Sequence, residues 1–110
     1  MSLTFSTGNI NLEEKLITLN LLKLDNAVVA IIWEGDRPQW GSTTLTLSDS
    51  TFTQILGDRD SMIGRVIGGY LAKRFERMAL VSTHLSQGYR DNLGIRLLEL
   101  VKHVTEEKNA

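Results

Sequence analysis

The order of hydrophobic and polar positions predicts a strand, a loop, a helix and a second strand in the middle of the chain. Residues 43–47 alternate with period two, as strands do, and residues 61–75 carry apolar side chains at helical spacing. Residues 78–85 are a β-type run after the helix. Gly64 and Gly68 form a small-residue stripe that favours close packing of the helix onto its own sheet. The predicted apolar stripe of this helix contains Met62, Ile63, Val66, Ile67, Tyr70, Leu71 and Phe75.

Two more strands are predicted before this stretch. Residues 16–24 alternate as far as Leu21, where the phase changes, and a β-bulge near Leu21 would explain the change. A helix over residues 13–22 remains the alternative. Residues 27–33 are an unbroken apolar run whose β-branched content favours a central strand. Short additional strands are expected at residues 3–7 and 51–55, and residues 1–11 are otherwise expected to be a flexible N-terminus.

The last predicted element is a helix over residues 92–107, with Asp91 as its N-cap. Its predicted buried stripe contains Leu93, Leu97, Leu100, Val101 and Val104. Because strands and helices do not alternate strictly, the order of elements favours a mainly antiparallel sheet over a doubly wound one. The sequence therefore predicts a single α+β domain over residues 1–110, with a mainly antiparallel β-sheet and two principal α-helices packed on one face.

The central strand, residues 27–33, is apolar on both of its faces, so both faces need cover. Two helices can cover one face of a small sheet, and a second subunit is the simplest cover for the other, since large apolar patches mark interfaces. We therefore expect a dimer partner on the uncovered face, with Val28 and Ile32 among the partner-binding residues. The alternatives are one helix on each face, or the N-terminal segment folded across the sheet.

Composition and charge narrow the range of functions. The chain has 110 residues, no cysteine and a formal net charge of -1. A near-neutral chain argues against binding to nucleic acid or to an anionic membrane, and no apolar run reaches the ~20 residues of a membrane helix. The N-terminus lacks the pattern of a signal peptide, and the absence of cysteine excludes disulfides and thiolate metal sites. We expect a cytoplasmic location, with the nucleus as a further one.

No residue pattern indicates catalysis or a bound cofactor. His84 falls on a predicted strand, and no Gly-x-Ser-x-Gly nucleophile elbow is present. Asp49, Asp58 and Asp60 lack the spacing of a calcium loop, and Arg59 would oppose a cation among them. The glycines of the first helix lie inside the helix instead of before it, unlike those of a phosphate-binding loop. We therefore expect a protein that is not an enzyme.

Two loops carry residues suited to a transient protein interface. Arg37 and Trp40 lie in the loop between the strands predicted at residues 27–33 and 43–47. Asp58 and Arg59 lie before the first predicted helix. A charged rim around an aromatic anchor is typical of binding surfaces that release their partner. These four residues are the predicted contact site for a third protein.

Five segments carry a resemblance to a known family, namely Leu24-Asp25-Asn26, Trp33-Glu34-Gly35, Leu56-Gly57-Asp58, Leu71-Ala72-Lys73-Arg74 and Leu80-Val81-Ser82-Thr83-His84-Leu85. With these segments, the sequence over residues 12–107 resembles the proteasome assembly chaperone 4 family. The resemblance implies a non-catalytic chaperone of 20S proteasome assembly that forms a heterodimer with a proteasome assembly chaperone 3-type subunit. It also implies support of alpha-ring formation, with the alpha-5 subunit as a principal contact. A small dimeric scaffold of the roadblock or profilin-like kind is the alternative.

Overall fold

The computed structural model describes residues 4–57, 61–86, 89 and 92–109. Within these residues the chain forms six β-strands and two α-helices. The strands are β1 (Thr4–Leu12), β2 (Lys15–Lys23), β3 (Ala27–Glu34), β4 (Ser42–Thr46), β5 (Phe52–Leu56) and β6 (Met78–His84). The helices are α1 (Ser61–Phe75), between β5 and β6, and α2 (Leu93–Asn109), after β6.

The strands form one mixed sheet in the order β1-β2-β3-β6-β4-β5. All neighbours are antiparallel except β3 and β6, which run parallel and are connected through α1. The β1–β2 hairpin turns at Glu13 and Glu14, whose positive φ angles of 51° and 67° match the twist that a two-residue hairpin loop requires. The predicted α+β class, with a mostly antiparallel sheet and two helices, is confirmed.

Two local predictions change in the N-terminal half. Residues 4–12 form the full-length edge strand β1 instead of a flexible segment with a short strand. The strand predicted over residues 16–24 is confirmed as β2, and the alternative helix over residues 13–22 does not form. The bulge predicted near Leu21 is wrong, because β2 keeps a continuous register with both neighbouring strands. The register shift lies instead between Thr43 and Thr44, where β4 pairs with β5.

Both helices pack on the same face of the sheet, and glycines allow them to come close. A Cβ atom on Gly68 of α1 would lie 2.6 Å from Thr46 Oγ1 of β4, and one on Gly8 of β1 would lie 2.6 Å from Val104 of α2. The core between helices and sheet is a single cluster, which confirms the predicted packing of the glycine stripe onto the sheet. It contains Leu12, Ile17, Leu19, Leu21, Val28, Ala30, Ile32, Ile67, Leu71, Ala72, Ala79, Val81, Leu85, Leu97, Leu100, Val101 and Val104.

The helices differ from the prediction at two points. Met62 and Val66 of α1 are 68% and 39% exposed, so they point outward instead of into the core. The N-cap of α2 is Asn92, whose Oδ1 accepts a hydrogen bond from the Ile95 amide at 3.4 Å, while Asp91 lies outside the described residues. In the described part of the chain, neither helix is long and apolar enough to cross a membrane.

A candidate protein-interaction face

The face of the sheet opposite the helices, which we call the open face, is apolar across its width. Strand residues alternate between faces, so the register fixes which side chains share it. In β3 the core residues Val28, Ala30 and Ile32 alternate with the half-buried Val29 and Ile31. One row of paired residues crosses all six strands of the open face, and it consists of Phe5, Leu22, Val29, Leu80, Leu45 and Thr53.

The second row of the open face is mostly polar and uncharged. The second row contains Thr7, Asn20, Ile31, Ser82 and Thr43 from five adjacent strands. Thr7 Oγ1 donates to Asn20 Oδ1 at 2.7 Å within this row. Hydroxyl and amide groups of this kind can be buried against a partner if they stay hydrogen-bonded, whereas a charged group could not be buried as readily.

Charged residues are absent from the open face of the described strands. The six strands contain only three Asp, Glu, Lys or Arg residues, namely Lys15, Lys23 and Glu34. All three stand at strand ends and have the register of the helix-covered face. When one face of a sheet remains in water, polar and charged residues normally occupy the strand positions that point to it. Depletion of charged residues is instead typical of the centre of a protein interface.

The loop from Gly35 to Gly41 is fastened to one end of the open face. The Gly41 amide donates to Ser82 Oγ at 2.8 Å, and Trp40 Nε1 donates to Thr43 Oγ1 at 2.6 Å. A Cβ atom on Gly41 would lie 2.0 Å from the Thr83 carbonyl oxygen, so the loop comes closer to β6 than any other residue type would allow. Ser82, Thr43 and Trp33 are consequently buried although they belong to the open face.

Two of the charged strand residues, Lys15 and Glu34, belong to a polar cluster on the helix-covered side of the sheet, at the end of β3. The Glu34 carboxylate accepts hydrogen bonds from Tyr89 OH and from Ser86 Oγ, the latter at 2.8 Å. Lys15 Nζ donates to Ser86 Oγ at 2.9 Å and lies 4.8 Å from the centre of the Tyr89 ring. This cluster ties the connection between β6 and α2 to the ends of β2 and β3.

Electrostatics in this cluster keep Glu34 ionised. Burial raises the pKa of Glu34, but hydrogen bonds from Tyr89 and Ser86, together with the Lys15 charge, outweigh it and hold that pKa below its ordinary value. Burial, with the hydrogen bond to the Glu34 carboxylate, raises the pKa of Tyr89 above its ordinary value. The Ser86 hydroxyl donates to Glu34, so the cluster is a hydrogen-bonded clamp that joins Ser86 and Tyr89 to the Glu34 carboxylate.

The structure separates the residues predicted to bind partners. Val28 and Ile32 are fully buried in the core beneath the helices, so their assignment to a partner-binding face is wrong. Arg37 is exposed in the loop after β3, and Trp40, at 46% exposure, stands at the edge of the open face. Asp58 and Arg59 lie outside the described residues.

Alternation identified the two faces of β3 but not which face the helices cover. The open-face residues of the other strands, such as Phe5 and Leu80, were not singled out from the sequence. Two signals could have found them. Leu22 breaks the alternation of β2 because it joins the apolar row of the open face, beside Phe5 and Val29. The segments that become strands also contain almost no charged residues, which is unusual for a surface in water.

The fold defines the class: a small α+β domain with a six-stranded mixed sheet and two helices on one of its faces. No protein-family model matches the sequence, and no curated protein matches it. Thirteen chains of solved structures match the fold. One belongs to a novel chaperone complex for yeast 20S proteasome assembly, with a TM-score of 0.64 at 14% sequence identity. That match covers 99% of this chain and 98% of the other, so the two share the whole fold.

Proposed function

We propose that this chain is a non-catalytic chaperone of 20S proteasome assembly that acts as a heterodimer through its open face. The observation that carries the proposal is the uncharged, largely apolar open face on a fold shared over its full length with a chain of a proteasome-assembly chaperone complex. A face of this composition is suited to lasting burial against another protein.

The resemblance in sequence supplies the finer part of the proposal. The partner on the open face is a second small chaperone of the proteasome assembly chaperone 3 type, and the clients are proteasome alpha subunits, with alpha-5 as the principal contact. The complex supports formation of the alpha-ring in the cytoplasm, and in the nucleus as a further location. Cofactors, nucleic acids and membranes have no part in this proposal.

Co-purification from the native cells tests the function. The tagged chain should bring down a small paired chaperone and proteasome alpha subunits, identified by mass spectrometry. Recovery of GTPases or cytoskeletal proteins without proteasome subunits would favour the roadblock or profilin-like scaffold instead. Recovery of neither set would contradict both functions.

A charge placed in the apolar row tests the face. Leu80→Asp puts an unpaired carboxylate at the centre of the open face, which costs about 3–5 kcal/mol when buried, or more than about a hundredfold in affinity. Ile95→Asp, on the outward side of α2, is the matched control and should leave the paired chaperone bound. Equal loss from both variants would mean that the open face is not the heterodimer interface.

We propose that the client site lies in the two loops singled out above, because loops at the ends of a sheet commonly carry binding residues while the sheet face is occupied. Arg37→Glu combined with Arg59→Glu should weaken binding of alpha subunits while the chaperone heterodimer persists. Recovery of alpha subunits at the wild-type level would place the client site elsewhere on the molecule.

A further inference from the structure

An apolar groove runs between α1 and α2 on their outward side, away from the sheet. Its volume is about 170 Å³, and it is lined by Met62, Ile63, Val66, Asn92, Gly94, Ile95 and Leu98. Met62 is 68% and Ile95 is 55% exposed, so the two helices present large apolar side chains that the rest of the described chain leaves uncovered. Neighbouring exposed apolar side chains of this size mark a binding surface.

The two helices lie side by side and run in the same direction. At their N-terminal ends, Met62 and Val66 line the groove together with Ile95. Further along, Tyr70 OH is 3.3 Å from Thr105 Oγ1. Each residue of an α-helix adds the same rise along the axis, so the offset between the two helices is constant. A residue of α1 therefore lies at the same height along the helices as the residue of α2 that is about 33 positions later in the chain.

The outward sides of the two helices carry charges at matching heights, basic on α1 and of both signs on α2. α1 carries Arg65, Lys73 and Arg74 and has no acidic residue. α2 exposes Glu99 and Glu106 at i+4 and i+11 from Ile95 on its outward stripe, and the exposed Lys102 lies between them at i+7. With the offset between the helices, Arg65 is level with Glu99, and Lys73 is level with Glu106.

We propose that the outward face of α1 and α2 binds a second copy of this chain about a two-fold axis that runs parallel to the helices. Such an axis keeps every residue at its own height and places α1 of one copy over α2 of the other. The exposed apolar groups Met62 and Ile95 then meet across the interface. Arg65 and Lys73 face Glu99 and Glu106 of the second copy.

The charges also select this arrangement over its alternative. A two-fold axis perpendicular to the helices would place α1 against α1, where Arg65 and Lys73 would repel their own copies. Lys102 lies nearest to the proposed axis, and its ammonium group is 5.7 Å from the centre of the Tyr70 ring, folded onto its own chain. The Arg65 guanidinium stands over the Phe52 ring at 4.5 Å. This contact holds it on the side of α1 where the proposed arrangement places Glu99 of the second copy.

The size of the face sets the expected strength of the dimer. A helix of 15 residues is about 22 Å long, and two adjacent helices are about 20 Å wide, which gives roughly 450 Å² on each copy. The total of about 900 Å² is below the range of standard stable complexes. The dimer should therefore form reversibly at micromolar to high micromolar concentration and dissociate on dilution.

Site-specific disulfide formation tests the arrangement, because the chain has no cysteine of its own. Chains with Met62→Cys and chains with Ile95→Cys, distinguished by tags, are mixed in a glutathione redox buffer. We expect a mixed disulfide between the two variants in preference to either self-pair. Arg96→Cys replaces Ile95→Cys in the matched control and should pair several-fold less, because it is turned about 100° away around α2.

Charge reversal tests the same contacts without any covalent bond. Glu99→Arg should raise the dimer dissociation constant about fivefold in sedimentation equilibrium, since two weak ion pairs are replaced by repulsion. Adding Arg65→Glu should restore the wild-type dissociation constant. Both positions are exposed, so each variant should fold normally, and circular dichroism is the control that checks this.

Absence of the mixed disulfide, or predominance of the Met62→Cys self-pair, would overturn the proposed arrangement. Failure of the reciprocal charge change to restore association would overturn it as well. These outcomes are independent of the proposed chaperone function, because contacts through the open face would keep these cysteines on opposite sides of the assembly. Leu80→Asp should leave the disulfide pattern unchanged.

Discussion

The two faces of the sheet both have apolar residues at their centres, yet they are built differently. The helix-covered face carries large, fully buried side chains such as Ile17 and Ile32, and it places the charged strand residues at its margins. The open face has one apolar row, and its second row is threonine, asparagine and serine around Ile31. Hydrophobicity alone would not distinguish a core from an interface here. The difference teaches that the open face is distinguished from an ordinary solvated sheet face by the charges it lacks.

Adjacent residues of β3 give the strongest test of this comparison. Ile32 is fully buried beneath the helices, and Ile31 is half-buried on the open face. Ile32→Asn should reduce the free energy of unfolding by about 4 kcal/mol or more, because it buries an unpaired amide and leaves a cavity. Ile31→Asn should cost about 1 kcal/mol, because its amide can reach water. Urea unfolding of the monomeric chain measures both, and equal losses would contradict the assignment of the faces.

Adjacent glycines of α1 give the next largest contrast. Gly68 faces the sheet, where a Cβ atom would meet Thr46 Oγ1 and Val81, whereas Gly69 has nothing within 4 Å. Gly68→Leu should lower stability by about 1–3 kcal/mol through overpacking. Gly69→Leu should raise stability by up to about 1 kcal/mol, because leucine is the better helix former. Thermal unfolding at low protein concentration measures both, and an unchanged melting temperature for Gly68→Leu would show that α1 can move away from β4.

Much of the fold could be predicted from local patterns, because each strand and helix carries its own periodicity. Alternation could not say which face of β3 the helices cover, since Val28 and Val29 are the same residue type and only the positions of α1 and α2 distinguish them. The choice of Val28 over Val29 as a partner-binding residue was wrong for that reason. The burial of Ser82 depends on a loop about 40 residues away in sequence, which no local pattern reveals.

The Glu34 cluster tests whether the charges of the helix side contribute to stability. The folded-state pKa of Glu34 lies below its ordinary value of 4.5, so its interactions stabilise the fold above about pH 4.5. That contribution is lost as the pH falls through the folded-state pKa. The difference in unfolding free energy between wild type and Glu34→Gln should be largest near neutral pH and shrink in acid. A difference that is constant from pH 3 to pH 7 would show that ionisation of Glu34 is not what holds Tyr89 and Ser86.

The smallest expected effect concerns the loop that closes one end of the open face. Trp40→Phe keeps an aromatic ring but removes the hydrogen bond from Nε1 to Thr43 Oγ1, which should cost about 1 kcal/mol. Thr43→Val removes the acceptor, and the double variant should lose less than the sum of the two single losses, because one hydrogen bond links them. Hydrogen exchange of the Gly41 amide, which donates to Ser82 Oγ, gives a second measurement on the same loop. Faster exchange in Trp40→Phe, with α1 and α2 unchanged, would show that this loop is held by the open face and opens independently of the helix-covered face. Additive losses together with unchanged exchange would mean that the loop is held by the hydrogen bonds of Gly41 with Ser82 and Thr43, and that Trp40 is free to contact a partner.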